Sequence, residues 1–299
     1  MTAEALKYPS NATHAAAYAL SLFDGFELVE YGGSRITLPA SAQRLLAFLA
    51  VHEGPHLRSY VAGMLWPDKS ETRSHANLRS MVWRLRQPGI EVVDASEREI
   101  GLADGVVVDA RQLVVLAQAL FNGTDPTLTY AARDLLAARE LLPGWYDEWV
   151  LVERERLRHL RQHALEVLCS RLVELGRIGE AVDVALSSVA DDPLRESAQR
   201  VLIQAHLAEG NAAEALRQYE TYRNLLRESL GVEPGPGVRE LFDGIVDMSA
   251  TKRRAPFGFD NVRTRTHNAG VASPRSSSNC SIDPATGVVS SVRTGARFI

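Results

Sequence analysis

Cysteine is nearly absent: Cys169 and Cys280 are the only two in 299 residues. Two thiols cannot build a disulfide framework, and they fit a reducing compartment. Lysine is almost as scarce. Of 33 basic residues only Lys7, Lys69 and Lys252 are lysine, and the other 30 are arginine, the bias of a GC-rich genome, since most arginine codons are GC-rich. Long apolar runs are missing too. Ala15–Phe23 is the longest early run, with only Lys7 ahead of it and Asp24 and Glu27 behind it, which does not suit a secretory leader. No window approaches the roughly 20 apolar residues of a membrane span. These shortages predict a soluble, cytoplasmic protein with no membrane partner. Catalytic signatures are also wanting: GxxxxGK(S/T), GxSxG, HExxH and paired CxxC runs do not occur. No catalytic residue, metal ligand set or cofactor is nominated, and an enzyme is not expected.

What remains is a chain with enough apolar residues, 45%, to bury real cores, and long enough for two domains at about 100–200 residues each. The net charge of −4 at first argues against nucleic acid, but it is unevenly spread. Residues 1–110 carry 10 basic and 13 acidic side chains, residues 111–250 carry 15 and 22, and residues 251–299 carry 8 and 2. An acidic body is joined to a basic tail.

Residues 1–17 are small and polar and are expected to be disordered. Over 18–38, three short runs separated by Asp24-Gly25 and Gly32-Gly33 predict an antiparallel sheet. Pro39-Ala40-Ser41 leads into a helix with a broad apolar face through Leu45, Leu46, Phe48, Leu49 and Val51, ended by Gly54-Pro55. A short helix follows over 57–66. A third spans 71–87, with Ser70 as its N-cap and Pro88-Gly89 as its stop. Two β-branched or alternating runs then fit a hairpin. Sheet, three helices and hairpin within about 90 residues give a winged-helix layout for 18–108. From Asp109 to 249 the pattern is helical throughout. Gly176-Arg177-Ile178-Gly179-Glu180-Ala181 aligns with Gly210-Asn211-Ala212-Ala213-Glu214-Ala215 at a spacing of 34 residues, the tetratricopeptide period. Each glycine would sit in an interhelical turn, and each following alanine would let the next helix pack closely. The predicted fold is mainly α: an N-terminal winged helix, a tetratricopeptide-like helical-repeat domain over 109–249, and a disordered basic tail over 250–299.

The 71–87 helix is the informative element. At about 100° per residue, Ser74, Leu78, Met81, Val82 and Leu85 fall on one stripe, and Arg73, Ala76, Ser80, Trp83 and Arg84 fall opposite, with Thr72, Asn77 and Arg79 at the edges. No acidic residue occurs from Thr72 through Ile90, while Arg73, Arg79, Arg84 and Arg86 lie within that stretch. One helix fits a major groove, where arginine reads guanine, asparagine reads adenine and serine reads either or holds phosphate. The bland alternative is an amphipathic surface helix with solvated arginines.

Several stretches resemble a known family. LLAFLAVHEG, the MLWPD of 64–68 and LRSMVWRLRQ at 78–87, followed by GWYDEWVLVERERLRHLRQHALE at 144–166 and the 191–236 segment closing on LGVEPGP, are similar to the Streptomyces antibiotic regulatory proteins. These are actinobacterial activators that join a response-regulator-type winged helix to a bacterial transcriptional activation domain. The resemblance covers about 18–245 and leaves the tail outside. It implies a pathway-specific activator of secondary metabolism, associated with the nucleoid. It also implies binding as a dimer to promoter direct repeats in double-stranded DNA, and recruitment of RNA polymerase through contacts that include its sigma factor. Carried onto this chain, the base-reading candidates are Arg73, Asn77, Ser80 and Arg84. The phosphate candidates are Arg44, Arg58, Arg79, Arg86 and Arg98. The net charge of −3 over 1–110 keeps another outcome open: a helical-repeat scaffold for protein or ligand whose winged helix no longer reads DNA.

Other features are read as structural. His159 and His163, four apart on a helix, lack a third metal ligand and are taken as surface or packing residues. His52 and His56 flank the Gly-Pro turn. Trp145, Tyr146 and Trp149 are assigned to core packing, Asp191-Asp192-Pro193 to a helix stop, and Cys169 to a buried, inert position. The tail, with Lys252-Arg253-Arg254 at its head, is either a DNA-clinging arm or an extension without function.

Overall fold

The computed structural model describes residues 17–86, 90–123 and 140–242. The expectations for residues 1–16, the Pro88-Gly89 stop, Cys280 and the basic tail lie outside those residues. Ala17, assigned to the N-terminal tail by sequence, is hydrogen-bonded through its N–H to the Gly105 carbonyl and belongs to the sheet margin.

Strand β1 (Tyr18–Ser21) pairs antiparallel with β2 (Glu27–Glu30), with Tyr18 opposite Glu30. The turn between them is made by Asp24 at φ 61° and Gly25 at φ 135°, backbone angles that short polar residues and glycine tolerate. The third expected run reaches the sheet only through a single Val29–Arg35 bridge. Helix α1 (Ala40–Val51) follows, the N–H groups of Ala42 and Gln43 donating to the Pro39 carbonyl. Ala42 and every residue from Leu45 to Val51 are buried, the signature of a central helix. Around α1 pack α2 (Arg58–Leu65), preceded by β3 (His56–Leu57), and α3 (Glu71–Leu85).

The wing is the hairpin of β4 (Val93–Ala95) and β5 (Glu99–Leu102), and β5 also pairs with β3 through His56 and Ile100. The following run, β6 (Val106–Val108), leaves the hairpin and lies parallel to β1, so the first sheet has the order β2-β1-β6. The turn at Asp104-Gly105 redirects the chain, and the Gly105 carbonyl accepts from both Ala17 and Tyr18. In the first sheet Val106 and Val108 are covered beside Tyr18 and Leu20.

Helix α4 (Asp109–Asn122) starts directly after β6. Then come α5 (Glu148–Glu174), α6 (Ile178–Asp191), α7 (Glu196–Ala208) and α8 (Ala212–Leu230), with a further helical stretch over 236–242. The 34-residue repeat is visible atom by atom. Gly176 N–H donates to Val173 and Arg177 N–H to Leu172, while Gly210 N–H donates to Leu207 and Asn211 N–H to His206. Both glycines are left-handed, at φ 71° and 82°, the conformation that closes a helix C-terminus at least cost. Ala181 and Ala215 are fully buried, as close helix packing requires. At the end of the array Gly235 N–H donates to Glu196 Oε2 at 2.7 Å, and a side chain at Gly235 would collide with that carboxylate.

One continuous apolar core runs from Tyr18 through α1 and α5 to Ala205, and a small second cluster holds Ile203, Ala215, Val238 and Phe242. Asp191 and Asp192 do more than stop α6. They reach back to Arg161 at 2.7 Å and Arg158 at 3.3 Å on α5.

Candidate nucleic-acid interface

The α3 stripe deduced from periodicity is the buried one: Ser74, Leu78, Met81, Val82 and Leu85 face the core. Arg73, Ala76, Ser80, Trp83 and Arg84 are exposed, as is Arg79, and Asn77 is half-buried. Ser70 occupies the N-cap position, but its hydroxyl caps nothing. Its carbonyl accepts from the N–H groups of Arg73 and Ser74 and from Ser74 Oγ. The helix ends at Leu85, two residues earlier than expected, with Arg86 as C-cap.

Three of the phosphate candidates meet at the wing. Arg86 donates to the Ala95 carbonyl at 2.6 Å, and Arg58 donates to the Ser96 carbonyl at 2.9 Å. Arg98 is exposed in the wing turn, which Ser96 Oγ stabilises by accepting from the N–H groups of Arg98 and Glu99. Arg58 and Arg86 therefore hold the hairpin beside the end of α3, and each guanidinium retains further donors. The wing is not purely cationic, because Asp94, Glu97 and Glu99 are exposed around Arg98.

Arg44 stands elsewhere. It is the only charged residue of α1, and its guanidinium is taken up by Asp147, the N-cap residue of α5, with Nε–Oδ1 2.7 Å, and by the Leu65 carbonyl at the end of α2. Its side chain is 29% exposed. Arg44 thus ties α1 to the end of α2 and to the start of α5, with three of its five N–H donors engaged inside the fold.

The junction also contains groups that sequence reasoning missed. Arg111 of α4 caps the C-terminal carbonyls of α1, donating to Leu49 and Ala50 at 2.8 Å each, a cation where the helix dipole is negative. Arg154 gathers the carbonyls of Leu141, Leu142 and Trp145. Phe48 of α1 stacks on His52 at 4.2 Å and meets Trp149 of α5 edge-on at 5.3 Å. Trp149 and Trp145 pack as expected, the latter against Phe26, whereas Tyr146 is 82% exposed and is not a core residue. His159 faces Glu155, and His163 lies against the Phe121 ring. Cys169 is buried among apolar residues, which pushes its thiol up to about 12.

Asp109, the first residue of α4, accepts from the N–H groups of Leu22, Phe23 and Ala110. Burial outweighs those bonds and pushes its carboxyl up from 3.8 to about 6. The folded state therefore holds this proton more tightly than the unfolded one. The stabilisation that follows is complete below pH 3.8 and is lost as the pH rises through about 6. Relative to Asp109→Asn, the stability of the wild-type chain is expected to fall by about 3 kcal/mol across that window. Urea denaturation at a series of pH values checks this, and a pH-independent difference between the two proteins contradicts it.

The chain is thus a winged helix followed by a tetratricopeptide-like array, and comparison with known proteins gives its family. The bacterial transcriptional activator domain matches residues 95–246, about half of the chain. The chain is 32% identical over 230 residues to the regulatory protein AfsR of Streptomyces coelicolor, and 29% identical over 228 residues to AfsR of Streptomyces griseus. Each alignment covers 70% of this chain, which spans only 22% and 23% of those relatives. Mycobacterium tuberculosis EmbR, solved in complex with a low-affinity phosphopeptide, superposes with a TM-score of 0.59 at 19% identity, over 78% of this chain and 65% of that one. The chain belongs to the bacterial transcriptional activator domain family, within the Streptomyces antibiotic regulatory group.

Proposed function

We propose that the protein is a sequence-specific DNA-binding activator that reads promoter direct repeats with α3, as two protomers in tandem, and recruits RNA polymerase through contacts that include its sigma factor. The observation that carries this is the exposed face of α3, free of acidic side chains beyond Glu71 and bearing Arg73, Arg79 and Arg84, with the wing held alongside by Arg58 and Arg86. Relatives named as regulatory proteins support a regulatory role without catalysis, and control of a secondary-metabolite pathway is part of the proposal. Arg73, Asn77, Ser80 and Arg84 are assigned to base edges, where a bidentate arginine discriminates by about 1–3 kcal/mol. Arg79 and Arg98, with the spare donors of Arg44, Arg58 and Arg86, are assigned to phosphates. Reading is assigned to residues 18–108 and recruitment to residues 109–249.

DNase footprinting of promoter regions tests the assignment. Two protected blocks over tandem repeats are expected, and an unprotected promoter at both low and moderate salt overturns it. Arg79→Ala separates the two kinds of contact. It is expected to weaken binding equally for all sequences and to lower the salt slope by about 1, as titrations at several salt concentrations would read. A change of consensus in that variant makes Arg79 a base reader instead. The acidic residues of the wing favour one other outcome, a repeat scaffold without DNA binding. Capture of a protein partner by the full chain, together with a blank footprint, would select it.

A further inference from the structure

We propose that Trp83 is a specificity-determining residue of α3, its indole packing on the 5-methyl group of a thymine in the major groove. This rests on the DNA-reading assignment of α3 and adds an apolar component to it. Trp83 is 70% exposed, whereas Trp149 is buried and Trp66 and Trp145 are half-buried. A largely exposed indole has much to gain from burial on binding, since an aromatic residue buries about 150–250 Å².

Its position on the helix specifies the kind of surface it meets. At about 100° per residue, Ala76, Ser80 and Trp83 lie within about 40° of the midline of the exposed face, and Arg73 and Arg84 flank it on one side and Arg79 on the other. The midline therefore runs small, small, large along the helix. Ala76 and Ser80 allow the α3 backbone to approach the groove floor over its first turns, and Trp83 stands out beyond them near the C-terminal end. A cationic rim around one large apolar group fits a polyanion that also offers an apolar spot. The major groove offers one such group per A·T pair, the thymine methyl. Packing on the sugar wall instead would carry no base preference.

The experiment is selection of binding sites from a randomised duplex pool by the full-length wild-type chain, Trp83→Ala and Trp83→Phe. The wild-type chain is expected to select thymine at one position that Trp83→Ala leaves open, and Trp83→Phe should keep that thymine. Replacing that thymine by deoxyuridine, which removes only the methyl, should weaken wild-type binding about 3- to 10-fold and leave Trp83→Ala within about twofold. The proposal is overturned if Trp83→Ala selects the unchanged consensus, or if deoxyuridine costs the wild-type chain nothing. Failure of the underlying DNA assignment is a separate result, in which no consensus emerges from the wild-type selection at all.

Discussion

Phe48→Ala is expected to cost about 3–5 kcal/mol, the range for removing a fully buried phenylalanine, and to weaken the winged helix and the helical array together. Phe48 has no exposed surface. Its ring meets His52 at the C-cap of α1, Tyr60 of α2 and Trp149 of α5. The cavity would therefore open where the two halves touch, in a core that runs unbroken from β1 to α7. Domains of this size have about 5–15 kcal/mol in total, so the loss is a large share. Urea unfolding of the wild-type chain, followed by tryptophan fluorescence and by helical signal, should give coincident transitions, and both should move together in the variant. Two separated transitions, with only one of them shifted, would contradict a shared core.

The second large effect is on binding. Arg73→Ala combined with Arg84→Ala is expected to lose about 2–6 kcal/mol of affinity for the specific site, at about 1–3 kcal/mol for each base-reading arginine. The two positions are eleven residues apart, about 16 Å along the helix axis at 1.5 Å per residue, far enough for their effects to add. Both side chains are exposed, so the stability of the double variant should stay within about 0.5 kcal/mol of the wild-type chain. That pairing of outcomes separates a lost contact from a damaged fold. Binding to unrelated duplex, which depends on total charge, should fall far less than binding to the repeats. An equal fall on both would reduce these arginines to phosphate contacts.

The features legible in the sequence are those set by local periodicity. Leu78, Met81, Val82 and Leu85 recur at helical spacing, so the sequence alone separates the buried and exposed sides of α3. The Gly176 and Gly210 turns were visible because left-handed C-terminal positions select glycine, and Ala181 and Ala215 because close packing selects small residues. What depends on distant partners was not visible. Val106–Val108 reads as a continuation of the hairpin, and only the position of β1, almost ninety residues earlier in the chain, makes it a parallel neighbour. Arg44 reads as a surface cation because a lone charge usually marks a solvated face. Its partner Asp147 lies 103 residues away, and α1 is buried nearly all round. Asp109 reads as an ordinary helix start, and its three N–H donors become apparent only when the end of β1 is brought to it. Tyr146 was grouped with Trp145 and Trp149 by adjacency, although side chains on a short irregular segment share no face.

The central claim is that α3 reads a DNA sequence. An equilibrium titration tests it most directly, with the full chain added to a labelled promoter duplex carrying direct repeats and to the same duplex shuffled, each at several salt concentrations. The account predicts binding to the repeats tighter by about a thousandfold or more, with affinity for both duplexes falling steeply as salt rises and the preference largely abolished in the Arg73→Ala/Arg84→Ala chain. Equal affinity of the wild-type chain for the repeat and shuffled duplexes would contradict it.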